Sequence, residues 1–137
     1  MRTRSKYTNK TSYGYKLNKM NDDTYALRRK VMNVIYEIKN NGYLIPRVEV
    51  RIVSEDTDTQ KEVCGYAYLS ENVVHIAEKY AKADDNILTH LVLHEVVHAV
   101  TGFRHDDKCY LMNPYIHANP NIKKSWKAFS GYLNQGN

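Results

Sequence analysis

The sequence predicts an α+β fold. Three observations carry this expectation. A segment with apolar residues at helical spacing precedes a group of short strand-like runs, a second helical segment follows them, and a third comes after a long aperiodic loop. The predicted order is helix, three strands, helix, loop, helix.

Asp22 or Asp23 can cap the first helix, whose apolar positions Leu27, Val31, Val34, Ile35 and Ile38 share one face. Gly42 supplies its stop and Pro46 prevents continuation. In RVEVRIV, Val48, Val50 and Ile52 alternate with Glu49 and Arg51, which predicts a half-buried strand. Residues 54–61 are polar and loop-like. Residues 63–69 (VCGYAYL) and 73–77 (VVHIA) read as two strands of a hairpin turning at Ser70-Glu71-Asn72. The second helix should start near Asp84 or Asp85 and run to about Thr101. Residues 102–119 show no period and carry Gly102 and Pro114, so they are expected to form a long loop. Asn119-Pro120 predicts a cap followed by proline in the first turn, and Ile122, Trp126, Phe129 and Leu133 mark the final helix.

At 137 residues, 42% hydrophobic and 26% charged, the chain has the size and composition of one globular domain. No apolar run approaches the roughly 20 residues that cross a bilayer, so no membrane partner is expected. Two cysteines, Cys64 and Cys109, are too few for a disulfide scaffold. The opening MRTRSKYTNK has no apolar segment resembling a secretory signal. The expected location is therefore the cytoplasm or an intracellular or viral assembly. The net charge of +5 is unevenly placed. Residues 1–21 hold Arg2, Arg4, Lys6, Lys10, Lys16 and Lys19 and no acid, whereas residues 22–137 hold 14 basic and 15 acidic residues. The basicity belongs to an N-terminal arm, residues 1–21, attached to a near-neutral domain, residues 22–137. Such an arm reads as a flexible, solvated terminus or as a segment that orders on an anionic partner, nucleic acid or acidic protein.

The chemistry concentrates in the second predicted helix, at His94-Glu95-Val96-Val97-His98. Residues four apart on a helix are separated by about 40° in azimuth and one turn in height, so both imidazoles can grip one metal ion with the glutamate beside them. Two neutral nitrogen ligands leave a zinc ion strongly Lewis acidic, and a neighbouring carboxylate can take a proton from the attacking water. HExxH is the minimal form of this arrangement. With 6 His and 7 Glu in the chain, chance alone produces it in roughly 1% of such sequences, so its surroundings must carry weight. On a helical wheel, Leu88, Val92, Leu93, Val96, Val97, Ala99 and Val100 cover about half the circumference. His90, His94, Glu95 and His98 lie on the other side with Ile87 and Leu91, a polar group expected to border a cleft.

A tetrahedral zinc needs a third protein ligand. No glutamate follows Glu95, which excludes a later Glu in that role. His105, Asp106, Asp107, Cys109 and His117 lie downstream, and His75 and His90 upstream. Gly102 is placed to end the helix in a left-handed conformation, with Phe103 as its apolar contact, turning the chain back at Arg104-His105. His105 is the first candidate and Asp106 the second. His90 sits one turn before His94 and reads as outer support or core.

The stretch HEVVHAVTGFRHDDKCYLMNPY resembles the active-site segment of the metzincin zinc peptidases, HExxHxxGxxH followed by a methionine-containing turn. The resemblance implies a small zincin-like domain binding one zinc ion per chain. His94, His98 and His105 would be the ligands, Glu95 the general base, Gly102 the hinge glycine and Met112 the methionine beneath the metal. It also implies a peptide or protein substrate, with residues 65–68 as the edge strand alongside it. Gly102 and His105 each fall one residue later than the pattern, with Thr101 as the apparent insertion. Tyr115 stands three residues after Met112, where it can stabilise an oxyanion or simply pack. Cys109 can compete for zinc as a thiolate or lie inert, and Asp106 can bond a ligand imidazole. His75 and His117 read as structural. The expected function is a zinc-dependent endopeptidase. The alternative is a non-catalytic zinc-binding structural or adaptor protein of a larger assembly, attached through its basic arm.

Overall fold

The computed structural model describes residues 22–53, 71–115 and 117–135. The basic arm, the strand expected at residues 63–69 and Cys64 lie outside the described residues. Within them the chain is α+β, with three α-helices and a two-stranded parallel sheet.

Helix α1 (Asp22–Asn40) turns Leu27, Val31, Val34, Ile35 and Ile38 into the core, the stripe its spacing predicts. It ends in a Schellman closure. Tyr43 N–H reaches Ile38 C=O at 3.3 Å and Gly42 N–H reaches Lys39 C=O at 3.0 Å, with Gly42 at φ +92°. A side chain at that φ would be strained, which is why glycine stands there.

Strand β1 (Glu49–Val53) pairs in parallel with β2 (Val73–Ala77), in the register Glu49 with Val73 and Arg51 with His75. Val50, Val74 and Ile76 are buried while Glu49 and Arg51 stay in solvent, so the alternation in RVEVRIV sorts the two faces. A 3-10 helix (Glu78–Lys82), which the sequence reading did not anticipate, carries the chain from β2 toward the next helix.

Helix α2 (Asp85–Thr101) is the centre of the molecule and packs against α1, β2 and α3 (Ile122–Gln135). Leu88 and every residue from 90 to 99 are buried. Leu88, Leu91, Val92, Leu93, Val96 and Val97 are each no more than 2% exposed. At about 1.5–3 kcal/mol for each fully buried aliphatic side chain, this one helix contributes the largest apolar block of the core. The polar side of the wheel was expected to border a cleft, yet His94, Glu95 and His98 are 1%, 9% and 7% exposed. His94 and His98 lie beneath the loop after the helix, as their hydrogen bonds show below.

The third helix starts later than Asn119-Pro120 suggests. Asn121 is its cap: its Oδ1 accepts the Lys124 N–H at 3.1 Å, and its carbonyl accepts the Ser125 N–H at 3.0 Å. Pro120 is buried just ahead of the cap. Phe129 and Leu133 enter the core as predicted, with Trp126 at its margin.

Candidate metal centre

Both helix histidines are fixed by main-chain carbonyls of the loop that follows α2. His94 Nδ1 lies 2.7 Å from Leu111 O, and His98 Nδ1 lies 2.7 Å from Phe103 O. A carbonyl oxygen only accepts, so each Nδ1 carries the proton and each Nε2 keeps its lone pair. That is the tautomer a metal ligand needs.

The loop brings the third histidine to the same point. Gly102 adopts φ +79°, ψ +3° and donates its N–H to His98 O at 3.1 Å, a left-handed helix end. Phe103 packs at the core margin and against the Tyr132 ring, with centroids 5.2 Å apart. His105 then comes back over the helix. Its ring centroid lies 5.2 Å from that of His94 and 4.8 Å from that of His98, while the two helix rings are 4.8 Å apart. One nitrogen from each of the three lies within 4.8 Å of the others. Nitrogens around a tetrahedral zinc stand about 3.3 Å apart, so small side-chain rotations close the trio on an ion. His98 Nε2 is buried without a hydrogen-bond partner among the described residues. A buried lone pair in that state is costly unless something electrophilic meets it. The trio thus fits a divalent metal ion.

Glu95 sits between the two ligands in sequence and is nearly buried. Its charge acts on His75, which extends from β2. Burial is the main cause that holds the His75 imidazole below its ordinary range, Arg51 adds to it, and Glu95 and Glu49 oppose. His75 therefore belongs to the electrostatic surroundings of Glu95, a link that a lone histidine in VVHIA did not signal.

The turn that carries Met112 is tied to the same loop. Met112 is fully buried, and its carbonyl accepts the Asp106 N–H at 2.9 Å, which ties the turn to the residue after His105. Its neighbour Leu111 provides the carbonyl that orients His94.

The remaining candidates fall elsewhere. Asp106 is exposed, its Oδ1 accepting the Lys108 N–H at 3.0 Å in a local turn, and it is not part of the trio. Cys109 is half-buried, with its Sγ 3.4 Å from the Met112 N–H. The Tyr132 phenol is pushed up by burial first and by the neighbouring Cys109 second. Tyr115 is 81% exposed. His90 and His117 form a separate group. His90 Nδ1 lies 2.6 Å from Ser125 Oγ, and its ring meets Tyr110 and His117 edge-on. His117 stacks on Tyr110 at 4.2 Å and donates from Nε2 to Tyr110 O at 3.2 Å. Ser125 was not anticipated, although a small polar residue one turn before Phe129 on the buried stripe of α3 is the kind of position that requires a partner.

Among the described residues, no helix is long and apolar enough to cross a membrane. Compared with protein-family models, curated proteins and solved structures, the chain finds no match.

Proposed function

We propose that the chain is a zinc-dependent endopeptidase with a minimal metzincin-like domain. The observation that carries the reading is the convergence of His94, His98 and His105 within 4.8 Å, with the two helix imidazoles held in the ligand tautomer and Glu95 beside them. An all-imidazole set of three suits zinc and leaves a coordination position open. When bound, the ion supplies Lewis acidity to the peptide carbonyl and to the water that attacks it.

The protein's own groups do the rest. The Leu111 and Phe103 carbonyls hold the two imidazoles in orientation, so only small rotations are needed as ligands form. Glu95, nearly buried and without a place in the ligand trio, accepts the proton of the attacking water and can return it to the leaving amine. A structural metal site has no use for such a base, which favours an enzyme over a scaffold.

The test is Glu95→Gln. It should keep the fold and the zinc stoichiometry of one per chain, measured by atomic emission on the purified protein. Hydrolysis of a diverse peptide library should fall on the order of 10²–10⁴-fold, the usual contribution of a general base. Unchanged hydrolysis would assign the activity to another site or a contaminant. A zinc-loaded, folded wild-type chain that cleaves nothing in the library would favour the structural or adaptor role.

A further inference from the structure

The residue that lengthens the ligand spacing has a hydroxyl with two partners. Thr101 is the last residue of α2, and its Oγ1 donates to Val97 O at 2.6 Å and accepts the Phe103 N–H at 3.1 Å. The Phe103 carbonyl, at the other end of the same residue, accepts the His98 Nδ1–H at 2.7 Å. Meanwhile Gly102 N–H bonds the backbone carbonyl of His98 at 3.1 Å. His98 is therefore grasped twice by the two residues after the helix, once through its main chain and once through its ring. The Thr101 hydroxyl holds the N–H end of Phe103, and the carbonyl of the same residue, one peptide further on, makes the second grip.

We propose that Thr101 is a positioning residue for the metal ligands: through Phe103 it sets the tautomer and direction of His98. This rests on the reading of His94, His98 and His105 as a metal site. The physical argument is one of hydrogen-bond supply. The last four C=O groups of a helix have no partners within it, and the N–H groups just beyond its end take whatever the following turn provides. An added residue between His98 and the glycine would ordinarily rotate that turn and carry the Phe103 carbonyl away from the imidazole. A hydroxyl at position 101 captures the Phe103 N–H and fixes where that residue begins, so the longer spacing still brings the carbonyl at its other end to Nδ1. Valine has the same branched shape and no hydroxyl; serine keeps the hydroxyl and loses a methyl group.

The experiment compares wild type, Thr101→Val, Thr101→Ala and Thr101→Ser in the full chain. Zinc affinity is read by competition with a chromophoric chelator. The His98 tautomer in metal-free protein is read from two-bond proton–nitrogen NMR, well above the ordinary imidazole range so that the rings are neutral. Wild type and Thr101→Ser should show His98 protonated on Nδ1 and should bind zinc within about twofold of each other. Thr101→Val and Thr101→Ala should weaken zinc about 10–100-fold, the usual cost of losing outer support of a ligand, and should shift His98 toward the Nε2–H form. A residue that only stabilised the helix end would lower thermal stability without moving the tautomer. Should Thr101→Val fail to fold, the wild-type spectrum still decides, because His98 protonated on Nε2 there overturns the proposal. Equal zinc affinity and an unchanged tautomer in the two hydroxyl-free variants also overturn it. A wild type that binds no zinc removes the metal reading itself, and the proposal falls with it; that result appears before any variant is compared.

Discussion

Two histidine clusters grow from the same helix, one turn apart, and they are built in opposite ways. His94 and His98 meet main-chain carbonyls, and with His105 they direct nitrogens at one shared point. His90 meets a hydroxyl, Ser125 Oγ, and packs edge-on against Tyr110 and His117. A carbonyl allows one tautomer, whereas a hydroxyl can donate or accept and so leaves the choice to its other bonds. Ser125 Oγ also lies 3.2 Å from Asn121 O, so the hydroxyl serves the α3 cap and the imidazole together. The nitrogens of the first cluster lie close enough together to hold a metal ion. The second is complete as it stands, an aromatic and hydrogen-bonded seam between α2, the loop and α3. Histidine content alone does not separate a metal site from a core; the chemistry of the atom facing Nδ1 does.

The sharpest way to test that contrast is to remove one ring from each cluster. His98→Ala should abolish zinc binding and with it the zinc-dependent rise in thermal stability. That rise is worth about 4.1 kcal/mol for a ligand at 1,000 times its Kd. His90→Phe should keep the full zinc-dependent rise, because its ring makes no contribution to the trio, while lowering the stability of the metal-free protein. Calorimetry with and without zinc reads both. A zinc response lost in His90→Phe and kept in His98→Ala would reverse the assignment of the clusters.

How much of this was legible in the sequence differs between the helix and the loop. Period sufficed for α1 and β1, because each buries one regular stripe and local spacing reports that directly, whereas α2, buried all round from 90 to 99, was bounded by Asp84-Asp85 and Gly102. HExxH placed His94 and His98 for the same reason: four residues on a helix is a geometric statement. The loop is different. That Leu111 O faces His94 and Phe103 O faces His98 depends on backbone direction, which side-chain identities do not encode. The parallel pairing of β1 with β2 was likewise invisible, since register depends on a connection whose path no local pattern dictates. Asn121 was passed over as a cap because Asn119-Pro120 presents the same signal two residues earlier. Thr101 looked like a defect in the ligand spacing until its two hydrogen bonds were located.

Acid should act on the second cluster in a window of its own. Burial first, and the neighbouring His117 second, hold the His90 imidazole down to about 4. An imidazole in the unfolded chain titrates near 6.5, so below that value the unfolded state binds the proton that the folded state refuses. This contribution to stability is fully present above about pH 6.5 and fades as the pH falls toward about 4, to a total of about 3 kcal/mol at most. Metal-free wild type should therefore lose stability over that interval more steeply than metal-free His90→Phe. The other histidines are common to both proteins and cancel in the difference. Parallel acid-unfolding curves would mean that His90 is protonated in the fold and that the seam is looser than its 1% exposure implies.

The smallest effect should come from Ser125→Ala. The change removes the 2.6 Å contact to His90 Nδ1 and the 3.2 Å bond to Asn121 O, but it leaves the Asn121 side-chain cap on Lys124 intact. A buried ring nitrogen left without its partner costs about 1–2 kcal/mol, read as a lower midpoint in urea with an unchanged slope. Zinc affinity should not move, because the carbonyls that hold His94 and His98 belong to residues 111 and 103 and neither is bonded to Ser125. A tenfold loss of zinc affinity in Ser125→Ala would show the opposite. It would mean that the seam carries α2 into register for the ligands, and the two clusters would then have to be treated as one coupled unit running through about two turns of the same helix.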